Sequence, residues 1–307
     1  MKIVSLLPSA TEIICSMGLR QQLVGVTHEC DYPPSVRGLP VVTRSLIPKG
    51  LGSREIDEMV RSQLSSEQAL YNLRQDVLEQ LQPDLIVSQA LCDVCAVASD
   101  EVERAACKLP GRPRVINLEP ARLEEVFATI TLVGAAAGQP ALARSTVRAL
   151  QKRVDTVCRR SETITAAQRP RVAMLEWLDP LFNAGHWTPQ LVAMAGGTDC
   201  LGNIFLPSTT TSLEQLKASE ADVIFIALCG FSLERSLQDV ALLNKQPQWR
   251  QLPAVRKGRV YLTDGNAYFS RSGPRLVDSL EILANTLHPR VHPLPEHLEP
   301  AIAVAQP

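Results

Sequence analysis

The chain of 307 residues is 45% hydrophobic and 21% charged, a composition that is typical of a folded globular protein and excludes a disordered one. Its formal net charge is −1, which gives no basic surface for nucleic acid or for an anionic membrane. No apolar run approaches the ~20 residues that a membrane-spanning helix needs, so we expect no membrane insertion.

The start of the chain does not have the pattern of a secretory signal peptide. Lys2 is followed by a short apolar run over residues 3–7, which Pro8 ends. We therefore expect a cytoplasmic protein, or a periplasmic one if the true start lies upstream. In the cytoplasm the eight cysteines would be reduced, which favours packing residues, reactive thiols or metal ligands over a disulfide framework.

Strands and helices are predicted to alternate along the first part of the chain. Residues 3–7 are typical of a buried strand, and residues 9–12 match a capping box that opens a helix ending near Gly18. Further on, the pattern predicts a helix over residues 76–81 and strands over residues 23–27, 85–88 and 115–118. This alternation predicts a parallel sheet with right-handed crossovers.

One long helix is predicted in the middle of the chain, over residues 140–162, on an apolar stripe. A helix of that length spans about 33 Å, so we expect it to bridge two lobes along one side. The stripe consists of Leu142, Val147, Leu150, Val154 and Val157.

The second half repeats the alternation of the first. We predict strands over residues 172–175, 223–228 and 260–262, a helix that Thr188 caps with Pro189 at its first position, and a final helix over residues 274–287. The proline-containing tail from Pro289 is expected to be loose, with His292 and His297 in solvent.

A short internal match indicates that the two halves are related. Residues 78–81 read Leu-Glu-Gln-Leu and precede an apolar strand that starts after Asp84, and residues 213–216 repeat these letters before a strand that starts after Asp222. The alternative is that such helix–strand joins look alike in many α/β proteins. The predicted fold class is therefore α/β, with two parallel-sheet lobes joined by a single long bridging helix. The predicted domains are residues 1–139, the bridging helix and linker 140–165, residues 166–288, and a tail of 289–307.

The segments that follow the predicted strands are rich in aromatic residues and cysteines. Ligands of open parallel α/β sheets bind beyond the carboxyl ends of the strands. Seven of the 13 aromatic residues lie in these segments, which indicates a stacking surface for a flat ligand, although they could instead fill loop–helix junctions. The predicted ligand-binding residues are Ser9, Thr11, His28, Glu29, Cys30, Tyr32, Cys92, Asp93, Cys95, Glu176, Trp177, His186, Trp187, Cys229, Phe231, Tyr268, Phe269 and Arg271.

Two other functions remain open at this point. A zinc or iron site is one alternative, with His28, Cys30, Cys92, Cys95 and Cys229 as candidate ligands, although a single Cys-x-x-Cys pair is a weak signal. An enzyme that uses a cleft histidine and glutamate is the other. It is the less favoured, because no nucleophile elbow or phosphate loop is present and His28 and Glu29, as neighbours on a strand end, would point to opposite sides. We therefore assign no catalytic residue and no required cofactor.

Several segments resemble a known family. The opening residues 3–12 (Ile-Val-Ser-Leu-Leu-Pro-Ser-Ala-Thr-Glu), the two strands that follow an aspartate and the single bridging helix are similar to the vitamin B12 and iron-siderophore substrate-binding proteins of ABC importers, the class with a helical backbone between its lobes. Residues 28–33, 91–95, 175–180, 185–187 and 265–271 resemble the subgroup called cobalamin-binding proteins.

The resemblance implies a non-enzymatic protein that binds cobalamin or another metal chelate between its two lobes, with the membrane subunits of an ABC importer as possible partners. In such importers one glutamate on each lobe docks onto arginines of the membrane subunits. Glu214 matches the second of these positions, and the shorter Asp76 takes the first. The alternative for both residues is a carboxylate that the helix dipole favours in a first turn.

Overall fold

The computed structural model describes residues 1–48, 50–65, 70–89 and 99–304, and it places them in two compact units. The N-terminal unit consists of Met1–Pro120 and Glu124–Ala149, and the C-terminal unit consists of Ala121–Leu123 and Leu150–Pro307. Cys92, Asp93 and Cys95 lie outside the described residues.

The N-terminal unit, as far as it is described, is built on one parallel sheet. Its elements are β1 (Ile3–Ser5), α1 (Pro8–Ser16), β2 (Leu23–Gly25), β3 (Thr43–Ser45), α2 (Ser53–Ser65), β4 (Tyr71–Leu73), α3 (Gln75–Leu81), β5 (Leu85–Ser88), α4 (Ser99–Lys108), β6 (Arg114–Asn117), α5 (Leu123–Ala136) and the first part of α6 (Pro140–Ser161). Four strands pair in the parallel order β2-β1-β5-β6, and β3 pairs with β4 in a separate antiparallel ribbon.

The central strands of this sheet are buried on both faces. Ile3, Val4, Leu85, Ile86 and Val87 each expose 1% of their surface or less. Helices that cover both faces of a parallel sheet require strands that are apolar throughout, which is why β1 and β5 were recognisable as continuous apolar runs.

The C-terminal unit repeats this plan and adds strands at the edges. Its elements are β7 (Arg171–Leu178), β8 (Leu181–Asn183), α7 (Thr188–Met194), β9 (Thr198–Asp199), α8 (Leu213–Ala218), β10 (Val223–Ile226), α9 (Leu233–Leu243), α10 (Pro247–Arg250), α11 (Pro253–Arg256), β11 (Val260–Leu262), α12 (Leu276–Leu287) and β12 (Ile302–Ala303). Among the described residues, β7, β10 and β11 form the parallel centre, with β8 and β12 antiparallel and β9 parallel at the edges.

A matched pair of aspartates supports the predicted internal duplication. Asp84 precedes β5 and accepts a hydrogen bond from the backbone N–H of Lys2 at 2.6 Å. Asp222 precedes β10 and accepts one from the backbone N–H of Arg171 at 2.9 Å. In each unit the carboxylate thus joins the starts of two neighbouring central strands, β5 and β1 in one unit and β10 and β7 in the other.

The long helix predicted in the middle of the chain is present as α6, and the division between the units falls inside it. Leu150, Val154 and Val157 are buried, as the stripe predicted. Leu142 is 41% exposed, so the stripe does not reach the first turn of the helix.

Two predicted helix caps are wrong. Helix α1 begins at Pro8, and the residue before it is the extended Leu7, which makes no side-chain cap. Ser9 therefore lies inside the first turn, since proline suits a first helical position where no N–H donor is needed. Helix α7 follows Trp187, and Thr188 and Pro189 are its first two residues.

The C-terminal tail is packed and not loose, which corrects the prediction from its prolines. Strand β12 pairs antiparallel with β11 at the edge of the sheet. His292 is only 2% exposed, and its Nε2 lies 3.1 Å from Ser161 Oγ at the end of α6. The expectation of a solvated His292 is therefore wrong, because the chain folds back over α12 and pairs with an open sheet edge.

Candidate functional site

Hydroxyl and thiol groups cluster beyond the carboxyl end of β1 in the N-terminal unit. The Thr11 hydroxyl donates to Ser5 Oγ at 2.9 Å and lies 3.1 Å from Cys30 Sγ. Thr27 Oγ1 lies 3.2 Å from the same sulfur. Ser9 and Thr11 are buried and Cys30 is partly exposed, so this network holds the Cys30 thiol in place.

His28 and Glu29 contact each other, which corrects the expectation that they diverge. His28 Nε2 lies 3.2 Å from Glu29 Oε1, and His28 Nδ1 lies 2.7 Å from Thr43 Oγ1. The His28 ring also lies 5.4 Å from the ring of Tyr71. The expectation failed because β2 ends at Gly25, so the alternation of a strand does not apply to residues 28 and 29. Tyr32, farther along this loop, is 44% exposed.

Aromatic rings lie at the carboxyl ends of β7 and β10 in the C-terminal unit. The rings of Trp177 and Phe231 lie 4.8 Å apart, and the guanidinium of Arg235 lies 4.4 Å from the centre of the Phe231 ring. The Trp177 indole N–H donates to the Asp179 carbonyl at 3.0 Å, which fixes the orientation of the ring. Both rings are partly exposed, so they offer an apolar, oriented surface.

The loops after β10 and β11 are closely joined. A Cβ at Gly265 would lie 2.0 Å from the Leu228 carbonyl oxygen, so only glycine allows this approach of two backbones. The Asn266 N–H donates to the Phe231 carbonyl at 3.0 Å, and Arg271 Nη2 donates to Asn266 Oδ1 at 2.8 Å. Cys229, in the loop after β10, is exposed, and its backbone N–H donates to the Glu176 carbonyl of β7 at 3.1 Å.

Three further predicted aromatic residues differ in exposure: Trp187 and Phe269 are buried, and Tyr268 is partly exposed. The Trp187 indole N–H donates to the Phe269 carbonyl at 2.7 Å, and both side chains are buried. Trp187 and Phe269 therefore join the start of α7 to the loop before α12. Tyr268 is partly exposed and lies 5.8 Å from the guanidinium of Arg275.

A buried carboxyl group lies beside these rings. Glu176 accepts a hydrogen bond from the Gly185 N–H at 3.3 Å and a second from the Ser208 hydroxyl. Burial raises its pKa to about 7, and the two hydrogen bonds only partly offset that rise. Burial lowers the pKa of neighbouring His186, whose ring stacks on Trp187 at 5.5 Å.

Within each unit, none of the predicted metal ligands that the structure describes belongs to a group of three ligating side chains. Among the described residues, the one group of three ligating side chains is Asp278, Glu281 and His297, whose ligating atoms lie within 4.8 Å of one another. Arg153 already pairs with both carboxylates of this group, since its Nη2 lies 2.5 Å from Asp278 Oδ1 and 2.6 Å from Glu281 Oε2. Metal binding by His28, Cys30 or Cys229 stays a prediction, as does any role of Cys92 and Cys95.

The two carboxylates predicted to dock onto a transporter lie in first turns of helices. Asp76 is in α3 with the guanidinium of Arg74 at 3.6 Å, and Glu214 is in α8. Glu214 is fully exposed, and hydrogen bonds from its own backbone N–H and from Ser212 lower its pKa. Both carboxylates are therefore accessible to a partner.

The sequence did not point to three residues that contact the predicted site residues of the C-terminal unit. Ser208, Arg235 and Arg275 do not follow a predicted strand directly, and the chain brings them to Glu176, Phe231 and Tyr268 only in the folded unit. The spacing of Arg235 four residues after Phe231 was the available signal. It was not informative alone, because the start of α9 was not predicted.

Comparison with known proteins identifies the class. Residues 3–267 match the family model described as periplasmic binding protein, and the chain belongs to this family of non-enzymatic substrate-binding proteins. Its fold is the two-lobed α/β fold of the class III periplasmic binding proteins, as the sequence predicted. No helix in the described ranges combines the length and the apolar character needed to cross a bilayer.

Individual relatives are distant but match along almost the whole chain. The uncharacterized ABC transporter substrate-binding lipoprotein YvrC of Bacillus subtilis is 22% identical over 300 residues, 94% of this chain and 80% of that protein. The vitamin B12-binding protein of Vibrio cholerae is 22% identical over 288 residues, 91% of this chain and 86% of that protein. A periplasmic heme-binding protein from Pseudomonas aeruginosa superimposes with a TM-score of 0.74 at 20% identity, covering 99% of this chain and 98% of that one.

Proposed function

We propose that this chain is a substrate-binding protein of the ABC-importer type and that its substrate is a flat metal chelate, cobalamin or another corrinoid first and a heme second. The observation that carries the proposal is the oriented aromatic pair Trp177 and Phe231 at the carboxyl ends of β7 and β10. Relatives named for binding vitamin B12 and heme support the same ligand class.

The aromatic pair suits a macrocycle for a physical reason. A large, flat and apolar ligand gains most from contact with broad side chains that lose little conformational entropy on binding. Trp177 is held by its hydrogen bond to Asp179, and Phe231 lies between Trp177 and the guanidinium of Arg235. The surface is therefore formed before the ligand arrives.

The N-terminal unit contains one histidine, His28, whose surroundings suit metal ligation. His28 is partly exposed, and its Nδ1 is held by Thr43. That contact leaves Nε2, which lies beside Glu29, as the nitrogen able to exchange its partner for a metal. We propose His28 as the metal-ligating residue of this unit.

Binding can be tested by mixing the purified protein with cyanocobalamin or hemin, desalting it, and measuring the retained visible absorbance. We expect near-stoichiometric retention of one of the two compounds. Replacing Trp177 by Leu should weaken the affinity about fivefold, because a ring contact of this kind contributes ~1 kcal/mol beyond burial. Tyr261→Leu is a matched control, since this partly buried aromatic residue lies within β11. Retention of neither compound by the wild-type protein would refute the proposal.

We also propose that Glu214 and Asp76 dock onto the membrane subunits of an importer. Glu214→Ala should abolish ligand uptake by cells that carry the cognate importer, while the affinity for the ligand in solution stays unchanged. Glu234→Ala is a close control, because Glu234 is an equally exposed first-turn glutamate whose pKa is lowered by the same kinds of hydrogen bond. Equal uptake by the wild-type protein and the Glu214 variant would contradict this assignment.

A further inference from the structure

Two aliphatic side chains project into solvent from one short loop of the C-terminal unit. We call residues 203–208 the apolar loop. Within it, Ile204 is 51% exposed and Leu206 is 62% exposed. Single exposed aliphatic residues are normal on protein surfaces, so exposure alone does not indicate a function.

The apolar loop is held in one conformation by hydrogen bonds at both ends. The Asn203 N–H donates to the Ala184 carbonyl at 2.9 Å, and the Asn203 side chain donates to the Pro207 carbonyl at 3.1 Å. Between these contacts, the Phe205 N–H donates to the His186 carbonyl at 2.9 Å and the His186 N–H donates to the Leu206 carbonyl at 2.7 Å. The loop therefore pairs with residues 184–186 almost as a strand would.

Close packing and a cation–π contact hold the centre of the loop. A Cβ at Gly185 would lie 2.3 Å from the Ser208 nitrogen and 2.5 Å from the Leu206 carbonyl oxygen, so the loop backbone rests directly on this glycine. The guanidinium of Arg122 lies 4.1 Å from the centre of the Phe205 ring. Ile204 and Leu206, on either side of Phe205, are left outside this packing.

The apolar loop is continuous with the candidate site. The Ser208 hydroxyl donates to Glu176, the residue before Trp177 on β7. His186 pairs with the loop backbone on one side and stacks on Trp187 on the other. The Ser208 side chain thus attaches the loop to β7 next to Trp177, on the strand-end surface to which we assign the ligand.

We propose that Ile204 and Leu206 form an apolar rim of the ligand site and select macrocycles that carry alkyl groups on their edge. This inference rests on the proposed function and adds to it the chemistry of the ligand's periphery. A rigid loop has already lost its conformational entropy, so burying its side chains against methyl or vinyl groups gives affinity without a further ordering cost. A ligand edge of carboxylates would instead lose hydration against these side chains.

The test measures the affinities of two iron porphyrins that share the same ring but differ in their edge groups. They are measured for the wild-type protein and for a double variant, Ile204→Thr with Leu206→Gln. Hemin carries methyl and vinyl groups on its edge, whereas iron uroporphyrin carries carboxylates at every edge position. The double variant should bind hemin about 30-fold more weakly, since it loses two aliphatic contacts, and its affinity for iron uroporphyrin should not fall. If the wild-type protein retains cyanocobalamin and not hemin, the same loss is expected for cyanocobalamin, whose ring edge also carries methyl groups.

The control is a second double variant, Leu142→Ser with Leu242→Ser, which removes two leucines of comparable exposure, 41% and 59%, outside the loop. It should bind hemin as the wild-type protein does, and an equal loss in both double variants would show nonspecific adsorption and overturn the inference. The single variant Leu206→Gln serves if the loop double variant melts at a lower temperature. Unchanged affinity of the loop variants overturns the inference alone, whereas a wild-type protein that binds neither hemin nor cyanocobalamin overturns the proposed function and this inference with it.

Discussion

The N-terminal and C-terminal units share a parallel centre of three strands, β1-β5-β6 in one and β7-β10-β11 in the other, but they carry different chemistry beyond the strand ends. In the N-terminal unit small hydroxyls and a thiol bond to one another around Cys30. In the C-terminal unit aromatic rings contact one another and arginines, beside a buried carboxyl group. The two units therefore differ at their strand ends: the N-terminal unit presents a polar, compact surface, and the C-terminal unit presents a broad, apolar one.

This difference shows which parts of the two similar units can differ in side-chain chemistry. The strands must stay apolar because both of their faces are buried, and the aspartates Asp84 and Asp222 keep the same backbone contact. The segments after the strands carry no such constraint, so their side chains can change with the ligand. We expect substitutions beyond the strand ends to affect the two units unequally.

The largest difference is expected for glycines next to the strands. Gly265→Ala should destabilise the C-terminal unit by about 3 kcal/mol, because the new Cβ would collide with the backbone of Leu228, which cannot move alone. Gly25→Ala in the N-terminal unit should cost about 1 kcal/mol, since its nearest neighbour, at 2.7 Å, is the end of the Leu81 side chain. Chemical denaturation of both variants measures the difference, and equal costs would contradict this account of the close backbone approach.

A pH-dependent contribution is expected from Glu176 at the C-terminal strand ends. Because its folded pKa is raised from 4.5 to about 7, the folded protein keeps a proton that the unfolded chain releases in this interval. Stability from this group is therefore full below pH 4.5 and falls as the pH rises through 7. Glu176→Gln should remove this loss. The free energy of unfolding of the variant minus that of the wild type should therefore be larger at pH 8 than at pH 4.5, by at most about 3 kcal/mol. Melting temperatures at the two pH values test this, and a pH-independent difference would contradict it.

His292 should give the opposite slope in the same unit. Burial lowers its pKa from 6.5 to about 4, so the unfolded chain binds a proton that the folded protein does not. Its contribution to stability is full above pH 6.5 and is lost as the pH falls towards 4, by at most about 3 kcal/mol. The variant His292→Gln should not lose this contribution to its free energy of unfolding as the pH falls. Denaturation of the wild type and the variant between pH 4 and 7 checks the prediction, and parallel pH profiles would count against a buried, neutral His292.

The smallest effect is expected for the hydroxyl network of the N-terminal unit. Thr11→Val should cost about 1 kcal/mol, because Ser5 keeps its hydrogen bond to the Leu7 carbonyl and Cys30 keeps its contact with Thr27. The reactivity of Cys30 towards a thiol reagent should rise, since one of its two hydroxyl contacts is lost. Thr129→Val is the control, because Thr129 is equally buried and bonds within its own helix. Unchanged reactivity of Cys30 would show that Thr11 does not hold the thiol.

Much of the fold could be predicted from local sequence patterns. The strands β5 and β10 followed from apolar runs, and the long helix α6 followed from an apolar stripe of helical period. Predictions that depended on neighbours in space failed. The caps of α1 and α7, the packed tail and the contact of His28 with Glu29 each depend on what the segment packs against, which a local pattern does not encode.

The sequence alone determined the class of fold, because the spacing of apolar residues along the chain decides where buried strands and amphipathic helices form. It also indicated which segments would carry the ligand site, since the carboxyl ends of parallel strands meet at one edge of a sheet. Only the tertiary structure decided the role of each aromatic residue there: Trp187 and Phe269 are buried and bonded to each other, whereas Trp177 and Phe231 are paired and partly exposed. The physical reason is that a side chain's exposure depends on residues far away in the chain, such as Phe269, which lies 82 residues after Trp187 and accepts the hydrogen bond of its indole.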